Sequence, residues 1–132
     1  MLANLPGVEN VMTKDGECTI AEAIADYPFV AIYFSAHWCP PCKQFTPVLG
    51  QWYEEVNKDA KTCQIVFVTS DKDDAAFKAY YDLMPWVAVP FDGVDRQAIK
   101  QKHGVQGIPM IPVFKADGTK IADNARGDIH KS

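Results

Sequence analysis

The sequence predicts an α/β fold in which helices pack on a central β-sheet. Two segments, 29–34 and 65–69, are almost entirely apolar, β-branched or aromatic, which is typical of strands buried on both faces. Each is followed by a stretch with the apolar spacing of an amphipathic helix. Because strands and helices alternate in this way, the strands are expected to share one sheet.

The first half of the chain begins with a mixed region of 28 residues. It contains a turn signal at Lys14-Asp15-Gly16 and a short apolar-periodic segment, Ile20 to Ala25. After the first buried strand, a helix is expected, because apolar residues beyond Cys42 lie three or one positions apart: Phe45, Val48, Leu49, Trp52, Tyr53 and Val56. Pro47 lies inside this pattern and is expected to kink the first or second turn.

The second half contains two further helical patterns, over 73–83 and 94–103, and a terminal hairpin over 110–122. Pro112 falls within what should be an internal strand, where its missing N–H removes a ladder bond. A bulge or an edge is therefore expected at that position. No linker or repeat interrupts the series, so one domain covering residues 1–132 is predicted.

Charge and hydropathy exclude several functions. Thirteen Lys and Arg stand against seventeen Asp and Glu, so neither an excess nor a run of basic residues favours binding to nucleic acid or an anionic membrane. No apolar run approaches the ~20 residues that span a bilayer. The N-terminus lacks the basic start and long apolar stretch of a secretory signal. A cytoplasmic or nuclear location is expected, where thiols are normally kept reduced.

The chain has four cysteines, and two of them, Cys39 and Cys42, lie three positions apart at the junction of a buried strand and a helix. Residues three apart on a helix are neighbours, so their sulfurs can bond with little backbone movement. The first lies where the positive end of the helix dipole favours a thiolate, the attacking species in thiol–disulfide exchange. This spacing favours redox chemistry at one place.

The residues between the two cysteines, Pro40 and Pro41, fit the first two positions of a helix, whose N–H groups have no intrahelical partner. They also remove two donors that could have stabilised the Cys39 sulfur. We infer a first thiol of intermediate acidity and a rigid couple of reducing to neutral character.

Two other interpretations of the cysteine pair fit the sequence less well. A zinc site needs two more ligands, and the remote candidates, Cys63 and His103, form no second close pair. A structural disulfide within one turn would close a tiny loop and stabilise little. Neither a metal nor an organic cofactor is therefore predicted.

The motif Trp38–Cys42, with Gly107-Ile108-Pro109 some seventy residues later, resembles the thioredoxin superfamily. Its Trp-Cys-Pro-Pro-Cys form is similar to that of the tryparedoxins and nucleoredoxin-like proteins. Three flanking stretches fit the same branch: 33–36, 45–47 and 84–91. The resemblance covers nearly the whole chain and implies a thioredoxin fold, with a mixed sheet flanked by helices.

The resemblance also implies roles for the two cysteines. Cys39 would attack a substrate disulfide, and Cys42 would resolve the mixed disulfide, leaving an oxidised Cys39–Cys42 pair. Tyr33 stands where ordinary thioredoxins carry a buried Asp that assists proton transfer. The proton of Cys42 would then leave by another route, through water or a nearby acidic residue.

Substrate contacts implied by the resemblance surround this pair. They are Trp38, Pro40, Pro41, Ile108, Pro109 and Arg126. Pro109 matches the family's cis-proline, and the residue before it offers backbone hydrogen bonds to a bound chain. Arg126 matches an arginine near the site of tryparedoxins, whereas Ser70-Asp71 replaces their tryptophan and is more typical of nucleoredoxins. The family usually has a longer terminal helix, so the helix here is expected to be either very short or cut off where the sequence stops.

Several other residues are expected to be structural. His37 is either a charged neighbour of Cys39 or a solvated loop residue, and Lys43 is expected to be an exposed helix residue. Cys18 and Cys63 are interpreted as small apolar residues. Trp86 is expected in the core more than on a partner surface. The acidic run Asp71–Asp74 is expected to be a solvated helix start with Asp capping.

The predicted function is reduction of protein disulfides, with peroxiredoxins among the substrates. A separate reductant (a reductase, glutathione or trypanothione) must recharge the pair, because the chain has no nucleotide fingerprint and no room for a flavin domain. The protein is expected to act as a monomer. Two alternatives stay open at this point: a redox-gated binding module of nucleoredoxin type, with the Trp86 loop as its surface, and a thiol peroxidase.

Overall fold

A computed structural model describes residues 2–131 of the chain. Seven strands form one sheet: β1 (Asn10–Thr13), β2 (Gly16–Thr19), β3 (Phe29–Ser35), β4 (Cys63–Thr69), β5 (Val87–Ala88), β6 (Val113–Lys115) and β7 (Lys120–Ala122). Their order across the sheet is β2-β1-β5-β4-β3-β6-β7. The α-helices are α1 (Ile20–Ile24), α2 (Pro40–Val56), α3 (Asp74–Tyr81), α4 (Arg96–Lys102) and α5 (Arg126–Lys131).

The centre of the sheet is the parallel pair β3 and β4, in register from Phe29 opposite Cys63 to Ser35 opposite Thr69. Every residue of β4 and all but the first of β3 are buried, as their continuous apolar sequences predict. β6 lies antiparallel to β3 on the other side, so the sheet is mixed. The hairpin of β1 and β2 and the two-residue β5 complete it and were not predicted.

Each face of the sheet carries its own apolar core, because successive side chains of a strand point to opposite faces. On one face, Tyr33 packs with residues of α2, α3 and α5. On the other, Ile32 and Phe34 pack with residues of α1 and α4. Trp86 is 1% exposed within the first core, which confirms its predicted placement.

Helices α1, α3 and α4 begin where a polar side chain accepts a free backbone N–H. Asp73 accepts from the N–H of Ala76 at the start of α3, as the acidic run predicts, and Asp95 caps α4 in the same way. α2 begins at Pro40, with Cys39 as its N-cap, as the two prolines predict, and continues through Pro47 to Val56. The predicted kink at Pro47 stays a prediction.

The terminal hairpin is interrupted where Pro112 was expected to disturb it. Met110 forms an isolated bridge with Phe34, and the regular strand β6 begins only at Val113. The carbonyl of Pro112 still accepts from the N–H of Ile32 at 3.0 Å. A register shift at Val113 against β7 adds a further irregularity. The predicted strand over 110–115 is therefore shorter than expected, because Pro112 has no N–H to donate to the sheet.

The terminal helix, α5, is six residues long. Within residues 2–131, no helix combines the length and the apolar character needed to cross a membrane. Over the same residues, no group of three or more His, Cys, Asp or Glu side chains is arranged to hold a metal ion.

Candidate active site

The two cysteines of the motif lie where the central strand β3 passes into α2. Cys39 is the N-cap of the helix with an extended backbone, and Pro40 and Pro41 occupy its first two positions, as the sequence predicts. The carbonyl of Cys39 accepts the N–H of Lys43 at 3.0 Å, which closes the first turn. The site is thus attached to one of the two buried central strands of the sheet.

The two thiols are unequal in exposure. Both are free, but Cys39 retains 6% exposure whereas Cys42 has none. Their side chains lie within hydrogen-bond reach of each other. Burial, above all, raises the pKa of Cys42 to about 11, and the hydrogen bond with Cys39 acts in the same direction. The geometry therefore makes Cys39 the thiol at the surface and Cys42 the thiol behind it.

The loop before β6 covers the pair from the side. Ile108 packs against Ala36, Cys39 and Cys42, and its carbonyl lies 3.8 Å from the Cys39 Sγ. The Ile108–Pro109 peptide bond is cis, as the resemblance implied. The structure therefore brings these two predicted residues to the cysteine pair.

The turn that precedes Cys39 is held by the loop after β4. Asp71 Oδ1 accepts the N–H of His37 at 2.8 Å, and Oδ2 accepts the hydroxyl of Thr69 at 2.7 Å. The indole N–H of Trp38 donates to the carbonyl of Ser70 at 3.2 Å. The expectation that Asp71 is solvated is wrong: it is 3% exposed, because its carboxylate serves this turn. Nothing in the local sequence signals this partnership.

Trp38 presents an apolar surface next to the cysteines. It is 57% exposed although its indole N–H is anchored. An open cleft of about 430 Å³ adjoins it, lined by His37, Trp38, Lys43, Asp71, Lys72, Asp73 and Ala76. His37 is only partly exposed, and its ring stacks on that of Tyr80 with centroids 5.1 Å apart. His37 is therefore not a freely solvated loop residue, which was one of the two expectations for it.

Arg126 lies at the start of α5, on the opposite flank of the α2 N-terminus. Its side chain is exposed, and it lines a cleft of about 270 Å³ together with Pro41, Gln44, Phe45 and Gly127. Arg126 thus lines the same cleft as Pro41, one of the two motif prolines, although the two residues are far apart in the sequence.

A cluster of buried hydroxyls behind Cys42 was not predicted as a site. Thr46 Oγ1 lies 2.8 Å from the hydroxyl of Tyr33 and 2.5 Å from that of Tyr80, which lies 2.7 Å from Ser35 Oγ. Where ordinary thioredoxins carry a buried Asp, this chain thus has Tyr33, whose hydroxyl belongs to a hydrogen-bonded group of hydroxyls. Burial raises the pKa of Tyr33 strongly, so this group stays neutral. The sequence signal for this cluster is a hydroxyl-bearing side chain on the apolar face of each of two helices, Thr46 in α2 and Tyr80 in α3.

The remaining cysteines lie apart from the pair. Cys63 is 3% exposed in the core that contains Tyr33, and burial raises its pKa to about 12. Cys18 is half-buried in β2. His103, the other remote zinc candidate, lies between Phe34 and Phe114 on the opposite face of the sheet from Cys63. The two zinc candidates are thus separated by the sheet itself.

Sequence comparison places these features in a family. A family model described as thioredoxin-like matches residues 28–120. A tryparedoxin from Trypanosoma brucei brucei is 39% identical over 126 residues, covering 92% of this chain and 84% of that protein. A nucleoredoxin from Danio rerio is 34% identical over 123 residues, again 92% of this chain but 29% of that protein. The chain thus spans most of a tryparedoxin but less than a third of that nucleoredoxin.

Structural comparison gives the same result. A tryparedoxin II in complex with glutathionylspermidine superposes with a TM-score of 0.86 at 31% identity, covering 98% of this chain and 90% of that one. The fold predicted from the resemblance, a mixed sheet flanked by helices, is therefore confirmed.

Proposed function

The chain belongs to the thioredoxin-like oxidoreductases of tryparedoxin and nucleoredoxin type, and we propose that it reduces protein disulfides through Cys39 and Cys42. The observation that carries this proposal is the pair itself: two free thiols within hydrogen-bond reach, one at the surface end of a helix and one buried behind it. That arrangement supplies an attacking sulfur and a resolving sulfur at one place.

In the first step, the Cys39 thiolate attacks one sulfur of the substrate disulfide. A Cys39–substrate disulfide forms, and the other substrate sulfur leaves as a thiolate that takes up a proton. In the second step, Cys42 loses its proton and attacks the Cys39 sulfur. The mixed disulfide breaks and the second substrate thiol is released. The substrate has then gained two electrons, and Cys39 and Cys42, which lost them, are joined as a disulfide.

The surroundings of the pair suit an extended peptide. Trp38 offers an exposed apolar face, while Pro40 and Pro41 give the helix start a rigid surface without N–H groups. The backbone around Ile108 and the cis Pro109 lies against the Cys39 sulfur, so a chain bound there would hold its disulfide close to the attacking atom.

A separate thiol reductant must restore the dithiol. The cleft that contains Arg126 lies beside Pro41, where a guanidinium could bind the carboxylate of a glutathione-type thiol bound to the oxidised pair. The tryparedoxin II noted above binds glutathionylspermidine, which is a thiol of this class. We propose the same class for this chain, together with protein disulfides such as those of peroxiredoxins as substrates.

The direct test is reduction of insulin, followed by turbidity, with dithiothreitol, trypanothione and glutathione supplied in parallel. Activity with trypanothione alone would assign the tryparedoxin type, and activity with dithiothreitol or a reductase alone the nucleoredoxin type. Cys42→Ser should trap a covalent complex with the substrate, whereas Cys39→Ser should not. If neither substitution altered disulfide reduction, the proposal would be wrong.

A redox-gated binding module is the second candidate, and the exposed Trp38 next to Cys39 favours it. A pull-down under reducing and oxidising conditions, with Trp38→Ala as the comparison, separates it from turnover. The Trp86 side chain itself is not available as a binding surface, because it is 1% exposed in the core.

A further inference from the structure

β5 leaves the sheet before β4 ends, so the last carbonyl of β4 has no strand beside it. The N–H of Val89, just after β5, donates to the carbonyl of Phe67 at 2.8 Å. The bonds of a parallel ladder recur at every second residue, so the next would join the N–H of Phe91 to the carbonyl of Thr69. Within residues 2–131 no such bond is present, and the chain bends at positions 91–94 instead.

The side chain of Arg96, the first residue of α4, lies where that bond is missing. Its Nη1 donates to the carbonyl of Thr69 at 2.7 Å, and its Nε donates to the carbonyl of Phe91 at 3.2 Å. The Phe91 ring lies against the guanidinium, with its centroid 4.3 Å from Cζ. A planar guanidinium suits two directed acceptors and an aromatic face at once. Arg96 therefore joins the bent chain to the end of β4.

Arg96 is half-buried rather than a freely moving surface residue. Burial lowers its pKa, and the charges of Asp92 and Asp71 act in the opposite direction. An arginine stays charged under such conditions, so its donors remain available. Together with Ser70 and Asp71, Arg96 lines a cleft of about 380 Å³. The guanidinium thus lies against the segment that follows β4.

The carbonyl that Arg96 holds belongs to the peptide group next to the one that anchors Trp38. In the peptide between Thr69 and Ser70, the carbonyl accepts from Arg96. Its N–H donates to the carbonyl of Ser35 at 2.8 Å. In the following peptide, the carbonyl accepts the indole N–H of Trp38 at 3.2 Å, and the N–H donates to Thr69 Oγ1 at 2.9 Å. All four backbone groups are bonded, so the orientation of one peptide constrains that of the next.

We propose that Arg96 is a positioning residue that holds the indole of Trp38 in place through the carbonyl of Thr69. The guanidinium supplies the bond that β5 does not give to this end of β4. Trp38 then presents its apolar face next to Cys39 in one orientation, which lowers the ordering cost of binding a substrate chain. The statement about substrate rests on the proposed function, whereas the link from Arg96 to Trp38 does not.

The two indoles of Trp38 and Trp86 distinguish local opening from a general loss of stability. The Trp38 indole is on an exposed side chain, so its N–H exchanges with water when its bond to Ser70 opens. The Trp86 indole is buried in the core and has no hydrogen-bond partner among the described residues, so its exchange reports opening of that core. While Trp38 exchanges much faster than Trp86, its rate measures local opening and is not moved by global stability.

The test is exchange of the indole N–H groups with water, measured by NMR in protein labelled with ¹⁵N at tryptophan. The Trp38 signal is identified by its loss in Trp38→Phe. Arg96→Met keeps a long stem but removes every donor. It should speed exchange at Trp38 about fivefold to tenfold, the effect of about one net hydrogen bond, with Trp86 still the slower of the two.

Lys100→Met is the matched control. Lys100 lies one turn further along α4, is also half-buried and lines the same cleft, but it donates to neither carbonyl. Exchange at Trp38 should therefore stay at the parent rate. If Arg96→Met leaves that rate unchanged, or if Lys100→Met raises it equally, the proposal is overturned. Should Arg96→Met fail to unfold cooperatively, Arg96→Lys, which keeps the charge but loses the planar fork, is read in the same way.

A second readout follows substrate binding. Arg96→Met should raise the KM for a protein disulfide about threefold, with less effect on kcat. In a Trp38→Ala background the same substitution should leave KM unchanged, because the indole that Arg96 positions is gone. A rise of KM that persists without Trp38 would show that Arg96 acts by another route.

The exchange measurement requires no turnover and therefore separates this inference from the proposed function. A protein inactive on insulin could still show faster exchange at Trp38 in Arg96→Met, and an active one could lack it.

Discussion

The carboxylate of Asp71 and the backbone N–H of His37 are joined by a 2.8 Å hydrogen bond between residues 34 positions apart. The bond ties the loop after β4 to the turn that delivers Cys39, and the indole of Trp38 adds a second tie to Ser70. Because Asp71 is buried, its loss would leave the His37 N–H and the Thr69 hydroxyl without their acceptor.

We expect Asp71→Ala to lower the free energy of unfolding by roughly 1–3 kcal/mol, the cost of unpaired buried donors. Disulfide reduction should slow as well, since the turn before Cys39 loses its anchor. Urea denaturation and insulin turnover measure the two effects. Asp74→Ala is the control, because Asp74 forms only an exposed pair with Lys78 and should cost about 0.5 kcal/mol or less. Equal losses in the two variants would refute the anchoring role.

Trp38→Ala should separate substrate binding from folding. Trp38 is 57% exposed, so the unfolding midpoint should fall only modestly, through loss of its partly buried surface and of the indole bond to Ser70. The KM for a protein disulfide should rise roughly tenfold, as for a central aromatic contact of an interface. The rate with a small aromatic disulfide should stay close to that of the parent protein.

The control for Trp38 is Leu83→Ala, because Leu83 is 67% exposed and lines a different cleft, beside Gly50 of α2. A similar rise of KM in both variants would mean that general surface hydrophobicity, rather than the face next to Cys39, binds the substrate.

Cys63 should be inert in the folded protein. Burial raises its pKa from 9.0 to about 12, which reduces its thiolate fraction near neutral pH roughly a thousandfold. Alkylation followed by peptide mass spectrometry should therefore label Cys63 only as the chain unfolds, in step with added urea. Labelling of Cys63 in native buffer at a rate independent of urea would contradict this, and Cys63→Ala identifies the peptide.

Stability should fall in mild acid because of His103. Burial lowers its pKa, chiefly through desolvation, although the bond from its Nε2 to the carbonyl of Asn4 at 2.6 Å acts the other way. A folded pKa below the unfolded value of about 6.5 gives stability that is complete above that pH and is lost as the pH falls through the folded value.

The measurement is the urea midpoint at about pH 7.5 and about pH 5, where the parent should lose stability. His103→Gln keeps a polar side chain but cannot titrate, so its midpoint should fall less over the same interval. If both proteins lost the same amount, the acid sensitivity would have to be assigned to other groups.

The elements that could be predicted are those whose structure is determined by their own local sequence. β3 and β4 were predicted because their residues are apolar throughout, which suits a strand covered on both faces. β5 was not, because two residues, Val87 and Ala88, carry no period, and they are a strand only by pairing with β4 and Met12 of β1. Short strands of this kind are specified by their neighbours.

The same distinction applies to the site. Cys39, Cys42 and their prolines were predicted because their chemistry lies within one helical turn. Asp71 was misjudged because an acidic run is usually a solvated surface, and its partner His37 is distant in sequence. The hydroxyl cluster was missed for a related reason: Ser35, Thr46 and Tyr80 lie on three different elements, and each alone is an ordinary residue near an apolar face.

The placement of Cys39 at the cap of α2 and of Cys42 in its first turn has a further consequence. A bond between sulfurs three residues apart closes a very small loop, so oxidation adds little constraint to the rest of the chain. Oxidation of the pair is therefore expected to alter the surface beside Trp38 more than the far side of the sheet. We expect a partner that distinguishes the oxidised from the reduced protein to contact that surface.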